Sequence, residues 1–447
     1  MSATELAPKF LFAVVVILLT CRLVGWALRR IGQPPVVGEM LTGVLLGPSL
    51  VGAVLPGVEH FVFPVQLKPV LYVGGQIGLV VFMFGSGYEF PTARIRQVAR
   101  PASVISGLGV LVPLLLGVGL AALAGGTVSL RPQGISFTVS ALFIGVTLAI
   151  TAFPMLARII TERGLSGTHH GSLSLACGAL DDVLAWVMLA GVLSIAGASP
   201  RLALKAVAGL IGLVIMLAVV MRRHRWIADR AHRLSQDQLL MLVLSLLFLA
   251  AWFADQVGLY AVFGAFSLGL AVPRTPNFER VVATLRPIGL VFVPLFFTYS
   301  GLNTEFGLLG HTDILIFTAG AVVAAIIGKF GACWLGARLV GESQATALRV
   351  GTLMNARGLM QLIAINVGLS AGIVTRELFS VLVIVALVTT VMATPLLAVW
   401  DRRDARRSPD QAQPASARRS SAELTGSGDS EATVPSPDRS ASSNAMP

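Results

Sequence analysis

Leu175-Ala-Cys-Gly-Ala-Leu-Asp-Asp-Val-Leu-Ala-Trp186 sets two adjacent carboxylates, Asp181 and Asp182, in the middle of the apolar run 172–195. At about 1.5 Å of rise per residue, that is near the centre of a bilayer with roughly 30 Å of hydrocarbon. A charge at that depth costs about 3 kcal/mol or more, so such residues face a wet cavity and mark an ion or proton path. Low dielectric and like charge both oppose ionising the two neighbours together. A site that holds either a proton or a metal cation is the natural use of the pair.

The rest of the 447-residue chain fits that reading. It is 55% hydrophobic and only 12% charged, with mean hydropathy +0.82, the composition of a polytopic membrane protein. The net charge of +11 does not imply a nucleic-acid partner, because the arginines are spread over loop after loop. Cys21, Cys177 and Cys333 fall in apolar segments without paired spacing, and imply neither a disulfide framework nor a metal site. No cofactor and no enzymatic chemistry is expected. The first apolar stretch lacks a basic region before it and a small-residue cleavage site after it, so it reads as a retained helix.

Apolar stretches predict thirteen spans near 8–28, 34–50, 69–88, 102–124, 136–158, 172–195, 202–220, 238–255, 258–272, 287–303, 313–336, 347–369 and 376–398. Loops after odd-numbered spans carry Arg29, Arg30, Arg94, Arg96, Arg158, Arg163, Arg222, Arg223, Arg280, Arg286 and Arg338. The other side has little beyond Lys9, Lys68, Arg131, Arg201, Lys205 and Arg376. The positive-inside rule therefore puts the N-terminus outside and the C-terminus in the cytoplasm. Residues 1–400 read as the membrane domain. From 401 to 447 the chain turns to Ser, Ala, Pro, Asp and Arg, predicting a disordered cytoplasmic tail with no nucleotide-binding pattern.

Two internal echoes are offset by seven spans. Ile77-Gly-Leu-Val80 returns as Ile288-Gly-Leu-Val291, and the Gly38, Gly43 spacing returns as Gly264, Gly269. An odd offset reverses the direction of crossing, so 34–195 and 258–398 read as inverted repeats, a hallmark of secondary transporters. The same offset pairs two interrupted spans. Thr151-Ala-Phe-Pro154 breaks the fifth, where Pro154 cannot donate to the carbonyl of Ile150. Asn355-Ala-Arg-Gly358 breaks the twelfth. Broken helices at matching positions point to the substrate site, where freed carbonyls and half-helix ends can handle ions. Lys329 completes the set: of four lysines against twenty-nine arginines it alone lies deep in a span, and lysine, unlike arginine, can lose its proton when buried. Because consecutive helical residues point about 100° apart, one aspartate can face Lys329 and the other a cavity.

Ile150-Thr-Ala-Phe-Pro-Met-Leu-Ala-Arg-Ile159, Ala179-Leu-Asp-Asp-Val-Leu-Ala-Trp186, Gly328-Lys329 and Asn355-Ala-Arg-Gly-Leu-Met360, with Gln33-Pro-Pro-Val-Val-Gly-Glu-Met-Leu-Thr-Gly-Val-Leu-Leu-Gly-Pro48, together resemble the monovalent cation:proton antiporter-2 family. The resemblance covers nearly all of the membrane part, in order. It implies an all-α sodium/proton-antiporter fold with crossed broken helices and a panel that forms a homodimer interface. It implies that Asp182 is the essential cation- and proton-binding carboxylate, with Thr151 as a further ligand or cavity residue. Asp181 matches the first acid, and Lys329 the lysine that bridges it when cation is absent. Members with two acids and this lysine are typically electrogenic. Gln361 departs from the glutamate that many members carry.

The function expected is exchange of a monovalent cation (Na⁺, with Li⁺ and K⁺ open) for protons across the plasma membrane by alternating access. Cross-class alternatives are a cation channel, a transport-dead sensor and an intramembrane aspartyl protease. The protease needs acids on separate facing helices, which adjacent Asp181 and Asp182 do not supply. Arg357 is read as orienting the crossing or balancing its partial charges. His169 and His170 are read as a solvated loop pair, and Glu39 is left without a role.

Overall fold

Ser136, Thr168, Ser235 and Ser343 each turn a side-chain oxygen onto a backbone N–H of the helix they precede. Ser235 and Gln238 form a full capping box. These caps satisfy donors that a helix start leaves without an internal partner. They help set where the chain enters its membrane crossings.

The computed structural model describes residues 3–90, 92–125, 130–197, 200–257 and 260–407. Among these the regular elements are all helical. In chain order they are α1 (Ala3–Arg30), α2 (Pro35–Leu46), α3 (Lys68–Tyr88), α4 (Thr92–Leu123), α5a (Phe137–Ala149) with α5b (Phe153–Glu162), and α6 (His169–Ala196). There follow α7 (Pro200–Arg222), α8 (Gln236–Gln256), α9 (Ala261–Ala271), α10 (Pro276–Gly301), α11 (Thr312–Leu339), α12a (Gln344–Met354) with α12b (Leu359–Ser370), and α13 (Arg376–Arg407).

Nine of these, with α2 counted together with the short helix Val51–Val54 that follows it, are long and apolar enough to cross a bilayer among the described residues. The others are the two broken segments, α7, which is followed by a bend into the short helix His224–Ala231, and the short α9. Thirteen segments therefore stand where thirteen spans were predicted. Three boundaries moved most: α4 begins at Thr92, ten residues before the predicted 102. α10 begins at Pro276, about three turns before the predicted 287, because proline at a first helical turn costs no hydrogen bond. α13 continues to Arg407, so residues 401–407, expected in a structureless tail, are helical; this stretch has no proline or glycine to stop it. Residues 408–447 lie outside the described residues.

The helices up to Trp400 pack in two groups. α1, α2, α3, α8, α9 and α10 form a panel, and α4, α5, α6, α11 and α12 form a core, with α7 touching both α6 and α9. Leu11, Leu19 and Leu23 on α1 and Met241, Leu249 and Trp252 on α8 stay exposed, as a surface solvated by lipid requires.

The sequence echoes reappear as matched contacts. Gly38 backs onto Gly25 of α1, and Gly264 onto Ala250 of α8. Gly43 of α2 abuts the backbone of α10 at Phe297, and Gly269 of α9 abuts α3 at Phe84. Gly78 meets Phe292, and Gly289 meets Phe82. Swapping α1, α2 and α3 for α8, α9 and α10 maps each contact onto its counterpart. The fold is an inverted repeat, and small residues let its backbones approach.

Gly301 lies against Gly43, where a Cβ would enter the α2 backbone, while a Cβ on Gly25 would meet nothing within 4 Å. Gly301→Ala is expected to destabilise the protein by about 1–3 kcal/mol and Gly25→Ala to leave it unchanged, measured by thermal unfolding in detergent. Equal melting temperatures for the two variants would contradict the packing.

Candidate ion-binding site at the helix crossing

α5a ends because Ile150 and Ala152 take extended backbone angles. α5b then starts at Phe153, with Pro154 in its first turn. Pro154 thus opens the second half-helix, where a missing N–H costs nothing, and does not kink a continuous one. In α12 the break is Asn355–Gly358, and Gly358 at φ 151°, ψ −120° occupies a region open to glycine. The breaks are tied to each other. The Ala152 N–H donates to the Ala356 carbonyl at 3.4 Å, and the Thr151 hydroxyl lies 3.1 Å from the carbonyl of Met354, the last residue of α12a.

A half-helix ending inside the membrane leaves carbonyls without donors and carries a partial negative charge. Two buried cations meet that end of α5a. Arg357 donates through Nη2 to the Leu148 carbonyl at 2.5 Å and to the Ala325 carbonyl of α11 at 3.2 Å. Lys329 donates to the Ala149 carbonyl at 2.5 Å. Lys329 sits in a π-helical turn, Ile327–Gly331, inside α11, a local irregularity common at functional sites. Its ammonium also reaches the Gly109 carbonyl at 2.8 Å. That carbonyl is free because Pro113, four residues on in α4, has no N–H to offer it.

The third ammonium bond goes to Asp181 Oδ2 at 2.6 Å, with both side chains fully buried. The Asp181 carboxylate is otherwise held by the hydroxyls of Ser106, on Oδ1, and Thr151, 2.9 Å from Oδ2. Three donors therefore engage Asp181. Asp182 differs. It is 6% exposed, it meets the backbone of Phe153 at the start of α5b, and its Oδ1 has no hydrogen-bond partner among the described residues. A buried carboxylate oxygen left without a partner is costly, and a proton or a cation relieves that cost. The two acids, neighbours in sequence, are thus chemically distinct: one locked in an ion pair, one available.

The structure gathers most of the residues singled out from sequence. Asp181, Lys329 and Thr151 are in direct contact, with the Thr151 hydroxyl turned to Asp181, and Arg357 caps the same half-helix. Asn355 is buried with both amide atoms unpartnered among the described residues. Gln361 is buried and donates to the Leu382 carbonyl at 3.3 Å; an amide can make that bond and a carboxylate cannot. His169 opens α6 and pairs with Glu342 at 2.9 Å, so it belongs to a helix start and not to a solvated loop. Glu39 of α2 faces Arg158 of α5b at 3.6 Å. Ser106, Gly109 and Pro113 were missed. Pro113 four residues after Gly109 is a readable sign of a freed carbonyl, whereas one serine in an apolar helix carries no such sign.

Residues 15–400 match the family described as sodium/hydrogen exchanger, transmembrane. The chain belongs to the sodium/hydrogen exchanger family. It is 35% identical over 396 residues to the Na⁺/H⁺ antiporter NhaS4 of Synechocystis sp., covering 86% of this chain and 95% of that protein. It is 33% identical over 402 residues to the K⁺/H⁺ antiporter 1 of Saccharomyces cerevisiae, covering 87% of this chain but 46% of that longer protein. Its fold matches that of the sodium proton antiporter MjNhaP1 from Methanocaldococcus jannaschii, with a TM-score of 0.58 and 16% identity over 88% of this chain and 97% of that one. Membership of this family accounts for the polytopic fold and for the crossed, broken helices.

The ion pair at the crossing has a thermodynamic signature. Asp181→Asn or Lys329→Met alone strands a buried charge and is expected to cost about 3–5 kcal/mol. The double variant is expected to cost clearly less than the sum, by thermal unfolding of detergent-purified protein. Strict additivity would mean that the two side chains do not interact.

Proposed function

We propose that this protein is a secondary antiporter exchanging Na⁺ for protons by alternating access, with Asp182 as the group both substrates share. The observation that carries the reading is the contrast between the acids: Asp181 engaged by Lys329, Ser106 and Thr151, and Asp182 buried beside them with an oxygen that has no partner among the described residues. A proton or a cation on Asp182 removes a charge that is expensive to carry across the bilayer. An empty, ionised site is correspondingly disfavoured from crossing, and this competition couples the two fluxes. Na⁺ is the substrate of the first relative named above and K⁺ that of the second, so both belong in the assay.

In this reading the pair Asp181–Lys329 is a second proton-handling element. Lys329 releases a proton when Asp181 turns from it towards cation, which makes the cycle electrogenic. One net charge per cycle would draw about 2.3 kcal/mol from each 100 mV of membrane potential. Thr151 and Arg357 hold the crossing together around the site, with Asn355 buried in the break of α12. The distribution of arginines supports an orientation with the N-terminus outside. The resemblance supports a homodimer paired through the panel.

In proteoliposomes, Na⁺ is expected to drive proton movement in the wild type, and Asp182→Asn is expected to lower that rate at least a hundredfold while the protein still folds. An interior-negative potential set with K⁺ and valinomycin is expected to change the wild-type rate. Wild-type coupling that survives Asp182→Asn would remove Asp182 from the mechanism; rates blind to potential would remove electrogenicity.

A further inference from the structure

A cavity of about 260 Å³ opens between panel and core, away from the aspartates, at the face where α1 begins. Tyr72 and Gln76 of α3, Asp255 at the end of α8, Tyr260 just before α9, Phe296 of α10 and Asn366 of α12b line it. At roughly 30 Å³ per water it has room for about eight waters, or for one partly hydrated alkali cation.

Its lining includes polar groups of the kind that accept a cation. Asn366 is 4% exposed. Its Nδ2 is fixed by donating to Ser300 Oγ and to the Leu362 carbonyl, each at 2.8 Å. That fixes which atom is left over: Oδ1, a buried acceptor with no partner among the described residues. The exposed Asp255 lines the same cavity as Tyr72 and Tyr260 and brings a negative charge to it. An amide oxygen, two phenol oxygens and a carboxylate form a set of hard oxygen donors, the type alkali and other hard cations accept.

The cavity also has a floor. Tyr260 is the one non-glycine residue with positive φ among the described residues, at 65°, a conformation that costs of order 1–3 kcal/mol and tends to persist at functional positions. Its ring packs on Trp186 with centroids 5.0 Å apart. Trp186 lies one helical turn beyond Asp182 on α6, on the same face, and is itself buried. The ring pair thus links the cavity wall at Tyr260 to the helix that carries Asp182, and it joins a panel residue to a core residue across the seam between the two groups.

We infer that this cavity is a staging site for the transported cation on the N-terminal face, with Asp255 and Asn366 Oδ1 holding it and the Tyr260–Trp186 stack separating it from Asp182. The inference rests on the antiport reading above. A cation arriving from this face sheds part of its hydration here, and sliding of core against panel parts the rings and passes it on. The opposite face has no part in the site.

The test uses the full-length protein in right-side-out and everted membrane vesicles, with Na⁺-driven proton flux as the readout. Asp255→Asn is expected to raise the half-saturating Na⁺ concentration three- to tenfold when Na⁺ is offered at the N-terminal face. At the opposite face the value should stay unchanged. Gln76→Glu, which adds charge at the cavity wall without touching the Asn366 bonds, is expected to lower the N-terminal-face value by at least twofold. Equal shifts at both faces, or none at either, with normal wild-type flux would overturn the staging site and leave the antiport reading standing. Absent wild-type flux at both faces would instead remove the antiport reading on which the site depends.

Discussion

A helix that breaks half-way across a bilayer strands backbone groups where water cannot serve them, and most of this fold's unusual chemistry answers that constraint. The end of α5a at Leu148 and Ala149 receives Arg357 and Lys329. The Thr151 hydroxyl, which donates to Asp181, lies beside the end of α12a at Met354, and the two breaks are joined through Ala152 and Ala356. Neither inner N-terminus has a side-chain cap, since Ala152 and Gly358 hold those places. Uncapped helix starts favour negative charge, and Asp182 lies against one of them.

Charge balance at the crossing then follows. Lys329 has three acceptors for its three protons: a carboxylate, a half-helix carbonyl and the carbonyl that Pro113 frees in α4. A lysine so fully satisfied is stable where it is buried, and it gives Asp181 a counter-charge that Asp182 lacks. The asymmetry between two adjacent aspartates is therefore produced by three other helices: α4 with Ser106, α5 with Thr151 and α11 with Lys329.

Much of this was legible in the sequence. Apolar stretches located thirteen segments because the hydrocarbon thickness fixes their length. The repeat was readable because the close approach of α2 to α10 and of α9 to α3 demands glycine at Gly43 and Gly269. Asp181, Asp182 and Lys329 stood out because ionisable groups are costly at their depth. What stayed hidden was three-dimensional. That Asp181 and not Asp182 takes the lysine was implied by the family resemblance and not by the residues themselves, because it depends on helix rotation, which adjacent positions do not reveal. Ser106 looks like any small polar residue until α4 is packed against α6. The outer cavity with Asn366 and Tyr260 draws on five helices and has no local motif. The start of α10 was misjudged for a simpler reason: charged residues in its first turns break the apolar pattern but not the helix.

The central claim is that one buried carboxylate, Asp182, exchanges a proton for a cation. Calorimetric titration of Na⁺ into purified protein, at one pH in two buffers of different ionisation enthalpy, tests it most directly. The account expects binding heats that differ between the buffers, because Na⁺ displaces protons, and expects that difference to vanish in Asp182→Asn. Equal heats in both buffers with Na⁺ binding intact would contradict it.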